Sequence, residues 1–194
     1  MRPAILVIDM IHEFVHGRLK SPDAEKIVPV INKLLIKARE KNVPVIYLCD
    51  KHFPFDHELK IWGEHALYNS SENKIIDELR PDENDIILYK RNYSGFRDTG
   101  LFNVLRDLDI DTVILTGIHT HICVLHTAWD AFYYGFNIII VRDAVAAFSR
   151  EDHEYALRYM EKIYGARILS SEEIMKIIDN IRGLTFNHKS GLCL

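Results

Sequence analysis

The chain has 194 residues, of which 48% are hydrophobic and 27% are charged. This is the composition of one ordinary globular domain that is large enough to bury a core. The formal net charge is −4, so the sequence lacks the excess of basic residues that is typical of binding to nucleic acid or to an anionic membrane. We therefore expect a small-molecule partner, with neither nucleic acid nor membrane.

The beginning of the chain and its cysteines indicate the compartment. Met1 is followed almost directly by a strand-like run instead of a cleavable signal, and no apolar run approaches the roughly 20 residues of a membrane helix. Cys49, Cys123 and Cys193 are too few and too scattered for a disulfide framework. We expect a cytoplasmic protein, with Cys49 in core packing and Cys193 a free thiol.

Strand-like and helix-like segments alternate along the chain. Short runs rich in Val, Ile and Leu show no polar alternation, which is typical of strands buried on both faces, and segments with helical spacing separate them. In chain order we predict strands at 4–8, 43–48, 85–89, 112–116, 137–141 and 167–169, and helices at 23–41, 99–108, 121–134, 151–164 and 170–181.

This alternation predicts the α/β class, because parallel strands need crossover connections that are usually helical. The expected architecture is a three-layer α/β/α sandwich with a mostly parallel, Rossmann-like sheet of about six strands. We assign residues 1–182 to this domain and residues 183–194, which show no periodicity, to a C-terminal tail.

Chemically useful side chains follow the predicted strands. Asp9, Asp50 and Lys90 follow the first three strands, Cys123 comes soon after the fourth, and Asp143 follows the fifth. Ligands of such sheets bind beyond the carboxyl ends of the strands. We therefore expect the residues of the first four strand ends, Asp9, Asp50, Lys90 and Cys123, at one rim of the sheet.

Cys123 is the candidate nucleophile. In the first turn of a helix, unpaired backbone N–H groups and the helix dipole lower a thiol pKa. Asp9 and Lys90 would supply the base and the cation that thiol attack needs. The alternatives are that Cys123 is a small core residue, that Asp9 caps a turn, and that Lys90 pairs with Asp85 or is solvated.

The segment 50–65 is the candidate metal site. It concentrates imidazoles and carboxylates, which are suitable ligands for Zn²⁺ or another divalent ion. The alternative is a chance cluster of such residues in a solvated loop.

Three segments resemble the isochorismatase-like cysteine hydrolases: residues 8–14 (IDMIHEF), 90–96 (KRNYSGF) and 116–131 (TGIHTHICVLHTAWDA). The resemblance extends from residue 4 to about residue 170, with the motifs in the family's order and spacing. It implies a catalytic triad in which Asp9 accepts and later donates a proton, Lys90 holds the pair in its charged form and Cys123 is the nucleophile.

The same resemblance implies an oxyanion-binding turn before the nucleophile. It predicts a cis peptide between Ile118 and His119, and backbone N–H groups of His119 and Cys123 directed at a tetrahedral intermediate. Many nicotinamidases of the family have an aromatic residue where this chain has Ile122. We expect His119 and Ile122 to contact the substrate. His119 and His121 are both candidates for the pocket lining, with at least one of them expected at the surface.

One branch of the family, the nicotinamidases, matches the segment 50–65 in detail. The match implies a metal set of Asp50, His52, Glu58 and His65, with Phe14 and Trp62 as aromatic walls for the substrate. Branches that cleave isochorismate or N-carbamoylsarcosine are not built around this set. His57 and Glu64 are expected to face solvent.

The sequence thus predicts a metal-dependent cysteine amidohydrolase of NAD salvage that converts nicotinamide to nicotinate and ammonia through a Cys123 acyl-enzyme. The alternatives are a metal-free relative acting on an N-carbamoyl compound or another small amide, and a non-catalytic binding protein. The family also implies a dimer or tetramer. Trp129, Phe132 and Tyr133 are expected either in the core or at an oligomer contact.

Overall fold

The computed structural model describes residues 1–181, so the predicted C-terminal tail and Cys193 lie outside the described residues. The strands are β1 (Pro3–Ile8), β2 (Val45–Asp50), β3 (Ile86–Lys90), β4 (Thr112–Ile118), β5 (Asn137–Ala146) and β6 (Arg167–Leu169). The α-helices are α1 (His12–Val15), α2 (Ala24–Glu40), α3 (Leu59–Trp62), α4 (Leu101–Asp107), α5 (Leu125–Tyr133), α6 (Arg150–Tyr164) and α7 (Ser171–Asp179). All six predicted strands and all five predicted helices are present.

The six strands form one all-parallel sheet in the order β3-β2-β1-β4-β5-β6. Helices cover both faces, which confirms the three-layer α/β/α prediction. On one face α1, α2 and α7 pack against alternate strand residues such as Ile5 and Val7. On the other face α4, α5 and α6 pack against the intervening ones, such as Leu6 and Ile8. The central strands are apolar on both sides for this reason.

Strand β3 departs from the prediction of burial on both faces. It lies at the edge of the sheet, and Ile87 and Tyr89 are 40% and 49% exposed. Both residues are on the face that α2 covers at β1 and β2, and that helical layer stops short of β3. The opposite face of β3 does pack, through Ile86 and Leu88.

Strand β5 is longer than predicted, and the predicted position of Asp143 after the strand is therefore wrong. Asp143 lies within β5, not after it, and its carboxylate accepts hydrogen bonds from the backbone N–H of Ser171 at 2.7 Å and from the Ser171 hydroxyl. Asp143 therefore anchors the start of α7. The Ser170 and Glu173 capping box at the same helix start agrees with the Ser-Ser-Glu-Glu sequence there.

Across residues 1–181, every helix is either too short or too polar to cross a membrane.

Candidate active site

The site lies where the strand order reverses, between β1 and β4. Ligands of doubly wound sheets bind at such a switch point, beyond the carboxyl ends of the strands. Gly117 near the end of β4 makes the close approach of these two strands possible. A Cβ atom at this position would lie 2.0 Å from the carbonyl oxygen of Ile8, and the φ of Gly117 is +106°.

Four strand ends bring the predicted catalytic residues together. The Nζ of Lys90, at the end of β3, lies 2.8 Å from Asp9 Oδ2 after β1 and 3.5 Å from Cys123 Sγ after β4. The same ammonium contacts Asp50 Oδ1 at the end of β2. The backbone N–H of Asp50 donates to Asp9 Oδ1 at 2.9 Å. All four side chains are buried, so Lys90 is neither solvated nor paired with Asp85.

Burial and charge set the protonation of this cluster. Burial, together with the neighbouring charge of Asp50, raises the pKa of Asp9 to about 6. Although burial alone would raise it, the pKa of Asp50 is lowered to about 2 by Lys90 and His52. Burial opposes the charge of Lys90, but the two carboxylates raise its pKa well above the usual value. At neutral pH the cluster holds one cation between two carboxylates.

The expectation of a lowered thiol pKa is wrong. Burial raises the pKa of Cys123 well above its ordinary value; the cation of Lys90 lowers it, while Asp9 and Asp50 raise it. The main reason is desolvation of the buried thiol, and the one ammonium does not offset it because it is shared between two carboxylates. The thiol is therefore protonated at rest, and it forms a thiolate by transferring its proton to a base. Asp9, with a pKa about 6, is the adjacent base.

The turn that carries Cys123 has the backbone that the resemblance implies. The peptide between Ile118 and His119 is cis. Cys123 lies in a π-helical turn, Thr120–Val124, that precedes α5, instead of in the first turn of a regular α-helix. The His119 carbonyl accepts the N–H groups of Ile122 and Val124 at 3.0 and 3.2 Å. An oxyanion-binding role of the His119 and Cys123 N–H groups stays a prediction.

The four predicted metal ligands form one cluster. Asp50, His52, Glu58 and His65 each offer one ligand atom, and these atoms lie within 4.8 Å of one another. Asp50 Oδ2 and His52 Nε2 are buried, have no hydrogen-bond partner and lie 3.6 Å apart. Leaving buried polar atoms unpaired is unfavourable, and a divalent ion bound between them would satisfy both.

The protonation of the other two members is also compatible with a metal. His65 Nδ1 lies 2.8 Å from the Gly63 carbonyl, so it carries the proton and leaves Nε2 as a free lone pair. Burial lowers the pKa of His65, which keeps the imidazole neutral. Glu58 Oε1 lies 3.9 Å from His65 Nε2. Burial and the charge of Asp50 raise the pKa of Glu58 to about 8, so this carboxyl holds a proton that a metal ion would displace.

The metal-ligand cluster and the thiol share one narrow cavity. Asp50, Glu58 and His65 lie in its wall together with Cys123. The volume open to the centre of a water molecule is about 20 Å³, which is room for about one water, so side chains have to move to admit a larger ligand. The four predicted substrate contacts all line this cavity: Phe14, Trp62, His119 and Ile122.

His119 is the most constrained polar group of the cavity wall. Its ring is 3% exposed, lies 4.0 Å from the Phe148 ring centroid and meets Phe14 edge to face at 5.5 Å. Its Nε2 is buried without a hydrogen-bond partner. Burial lowers the pKa of His119 to about 3, so the ring is neutral. The expectation that His119 or His121 lies at the surface is wrong, because His121 is half-buried against Phe148.

Sequence reasoning missed several residues of the wall. Tyr93 accepts a hydrogen bond from Trp62 Nε1 at 3.0 Å, and Phe148 packs against Trp62 at 5.8 Å. Leu19 completes the lining. Tyr93 lies in the segment 90–96, one of the three that resemble the family, so its role in the cavity wall could have been predicted from the sequence. Phe148, beyond β5, had no such signal.

The remaining predictions concern residues away from the thiol. Cys49 is buried within β2, as expected of a packing residue, and His57 and Glu64 are exposed. A core position for the aromatic residues of α5 is wrong, since they are 40–67% exposed: Trp129, Phe132 and Tyr133. An oligomer contact through these side chains stays a prediction.

Comparison with known proteins agrees with this geometry. The Isochorismatase domain family matches residues 3–173. The chain is 43% identical to the N-carbamoylsarcosine amidase of Thermoplasma acidophilum, whose crystal structure superimposes with a TM-score of 0.84 over 89% of this chain and 98% of that one. It is 30% identical to the zinc complex of the Pyrococcus horikoshii pyrazinamidase, with a TM-score of 0.80 over 88% and 99% of the two chains. It is also 32% identical to Nicotinamidase 3 of Arabidopsis thaliana, over 79% of this chain and 78% of that protein.

With the family match covering most of the described chain, and with the fold and the site geometry in agreement, the protein belongs to the isochorismatase family. Named members of this family include amidases and isochorismatases.

Proposed function

We propose that the protein is a metal-dependent cysteine amidohydrolase that converts nicotinamide to nicotinate and ammonia. The observation that carries the proposal is that the metal-ligand cluster and the Cys123 thiol line one narrow cavity. The zinc-bound pyrazinamidase and the nicotinamidase among the relatives support it, because both act on flat ring carboxamides.

The aromatic residues of the cavity wall suit a flat ring. Phe14 and Trp62 provide aromatic walls. A divalent ion held by Asp50, His52, Glu58 and His65 would supply a Lewis acid for a pyridine nitrogen and would so direct the carboxamide towards Cys123. The neutral His119 offers one nitrogen for a hydrogen bond with the substrate.

The residues on the thiol side provide the proton transfers of amide hydrolysis. Asp9 takes the proton of Cys123, and the thiolate forms a bond to the amide carbon, which places a negative charge on the amide oxygen at the His119 and Cys123 N–H groups. The acid form of Asp9 then protonates the amide nitrogen as the carbon–nitrogen bond breaks and ammonia leaves. Asp9 next removes a proton from a water that attacks the thioester, and the carbon–sulfur bond breaks as Cys123 regains a proton.

Lys90 performs no proton transfer in this scheme. Its ammonium lies 2.8 Å from Asp9 and 3.5 Å from the Cys123 sulfur. In this position it keeps Asp9 oriented, and it stabilises whichever of the two groups carries the negative charge as the proton moves.

The test is ammonia release from nicotinamide by the purified, Zn²⁺-loaded protein. The Cys123→Ala variant should be inactive and should keep the circular-dichroism spectrum of the wild type. Cys49→Ala is the matched control, because Cys49 is also a buried cysteine but lies within β2, away from the substrate cavity, and it should remain active. Full activity of Cys123→Ala would remove the proposed mechanism.

A second candidate function is hydrolysis of a small N-carbamoyl compound. The observation that favours it is the 43% identity to the N-carbamoylsarcosine amidase, over nearly the whole of both chains. A substrate panel assayed before and after chelation separates the two candidates. Only hydrolysis of nicotinamide needs the metal, because the metal would bind the pyridine ring. The second candidate is favoured if hydrolysis of N-carbamoylsarcosine survives chelation and no ammonia is released from nicotinamide. Nicotinamide binding without ammonia release from any amide would instead indicate a binding protein.

A further inference from the structure

We propose that Asp56, held by Arg91, is a positioning residue of the metal site: it fixes the His52 ring so that Nε2 faces the metal position. The inference rests on the metal binding in the proposed function. It assigns a role to two residues that donate no ligand atom to the cluster.

Asp56 contacts the far side of the His52 ring. Asp56 Oδ2 lies 3.1 Å from His52 Nδ1 and also accepts the backbone N–H of Phe53 at 3.0 Å. His52 is completely buried and Asp56 is 6% exposed, so water does not replace this contact.

Arg91 holds Asp56 in place. Its Nε lies 3.1 Å from each carboxylate oxygen, and its Nη2 contacts Oδ1. The guanidinium lies over the Phe53 ring, 5.0 Å from the centroid. Such a pairing across both carboxylate oxygens fixes direction as well as distance. It leaves Oδ2 of Asp56 turned towards the imidazole.

The end of β3 thereby supports two metal ligands from adjacent residues. Lys90 contacts Asp50, and Arg91 reaches His52 through Asp56. Successive side chains of a strand point to opposite sides, so one strand end can reach both.

Asp56 is needed because two carboxylates flank the His52 ring, and an imidazole that binds a metal has only one N–H to donate. Asp50 Oδ2 lies 3.6 Å from His52 Nε2, beyond hydrogen-bond distance, and both atoms are unpartnered. The shorter contact to Asp56 draws the proton to Nδ1 and leaves the Nε2 lone pair beside Asp50, as a metal site requires. Without Asp56, the His52 proton would lie on Nε2 and would be donated to Asp50. Neither His52 Nε2 nor Asp50 Oδ2 would then be available to a metal ion.

The test is the Zn²⁺ affinity of the full-length protein, measured by competition with a chromophoric chelator. Asp56→Ala should bind Zn²⁺ about 10- to 100-fold more weakly than the wild type, the loss expected when a partner of a ligating histidine is removed. Asp56→Asn should lose less, because its amide oxygen still accepts from Nδ1–H. Arg91→Gln should weaken binding less than Asp56→Ala does.

Arg97→Gln is the matched control. Arg97 pairs with Asp130 through two contacts of 3.0 Å and is exposed to solvent, as Arg91 is. It contacts no metal ligand, so the variant should bind Zn²⁺ as the wild type does. Equal losses in Arg97→Gln and Arg91→Gln would overturn the inference, since they would indicate general destabilisation.

A second measurement needs no metal. Long-range ¹H–¹⁵N NMR of the metal-free protein, recorded at a pH high enough for the His52 ring to be neutral, should show the His52 proton on Nδ1 in the wild type and on Nε2 in Asp56→Ala. Wild-type Zn²⁺ affinity in Asp56→Ala, or an unchanged tautomer, would overturn the inference and leave the proposed function intact. If Asp56→Ala does not fold, the Zn²⁺ affinities of Arg91→Gln and of its control Arg97→Gln decide: weaker binding in Arg91→Gln alone is expected, and equal affinities would overturn the inference. A wild-type protein that binds no Zn²⁺ would refute the metal proposal itself.

Discussion

Replacing Lys90 by Met tests the charge balance at the centre of the site. Lys90 is fully buried and is the cation shared by Asp9, 2.8 Å away, and Asp50. Methionine has a similar length and no charge, so the variant leaves two buried carboxylates facing each other. Removing one partner of a buried ion pair costs about 3–5 kcal/mol. We expect a loss in the free energy of unfolding at or above the upper end of that range, because two carboxylates lose their partner.

The loss should depend on pH in a defined direction. Lys90 is among the charges that lower the pKa values of both carboxylates, so its removal raises both values above those of the unfolded chain. The native variant then binds more protons than the unfolded variant, and its stability rises as pH falls from neutral towards 4. The deficit relative to the wild type should therefore be largest at neutral pH and smaller near pH 5.

The assay is urea unfolding of the metal-free proteins at pH 7.5 and pH 5, with chelator present so that metal binding does not contribute. In thermal scans the loss at neutral pH corresponds to a decrease of at least roughly 10–20 °C in Tm, at about 2–4 °C for each kcal/mol in a chain of this size. Lys51→Met is the control. Lys51 lies over the rings of Tyr68 and Tyr89 at 4.4 and 4.2 Å, a contact worth about 0.5–1 kcal/mol. Equal stabilities of Lys90→Met and the control, or a deficit that grows as pH falls, would refute the reasoning.

Three further predictions concern the reaction. Asp9 has a pKa of about 6 and has to be ionised to accept the thiol proton, so nicotinamide hydrolysis should rise with pH through about 6 and level off above it; a rise confined to pH above 8 would contradict this role. Dialysis against a chelator should abolish nicotinamide hydrolysis, because the pyridine nitrogen of the substrate then has no metal ion to bind, and added Zn²⁺ should restore it. Unchanged rates after the loss of metal, checked by elemental analysis, would count against the scheme. His119→Ala should raise KM about 5- to 10-fold with little change in kcat, the effect of losing one hydrogen bond worth about 1 kcal/mol, and a KM equal to that of the wild type would show that Nε2 does not contact the substrate.

The fold was predictable because its signals are local. Each central strand is an apolar run, and each predicted helix has a periodic apolar stripe. The capping box of α7 is formed within four consecutive residues, 170–173. The predictions of strand burial and strand length were wrong where they depend on the neighbouring elements in the fold. The run at β3 has the same apolar character as the central strands, and its exposure follows only from its place at the sheet edge. Likewise, Asp143 follows an apolar run, but β5 continues past it.

The sequence by itself determined which groups the site contains. The positions of Asp9, Lys90 and Cys123 after three strands, and the ligand residues of the segment 50–65, are properties of chain order, because the carboxyl ends of parallel strands meet at one rim. Tertiary structure alone decided the state of those groups. The raised pKa of the Cys123 thiol, the neutral His119 and the hold of Arg91 and Asp56 on His52 depend on burial and on charges brought from distant strands. Desolvation and Coulombic interactions act through distance in space, which spacing along a chain does not encode.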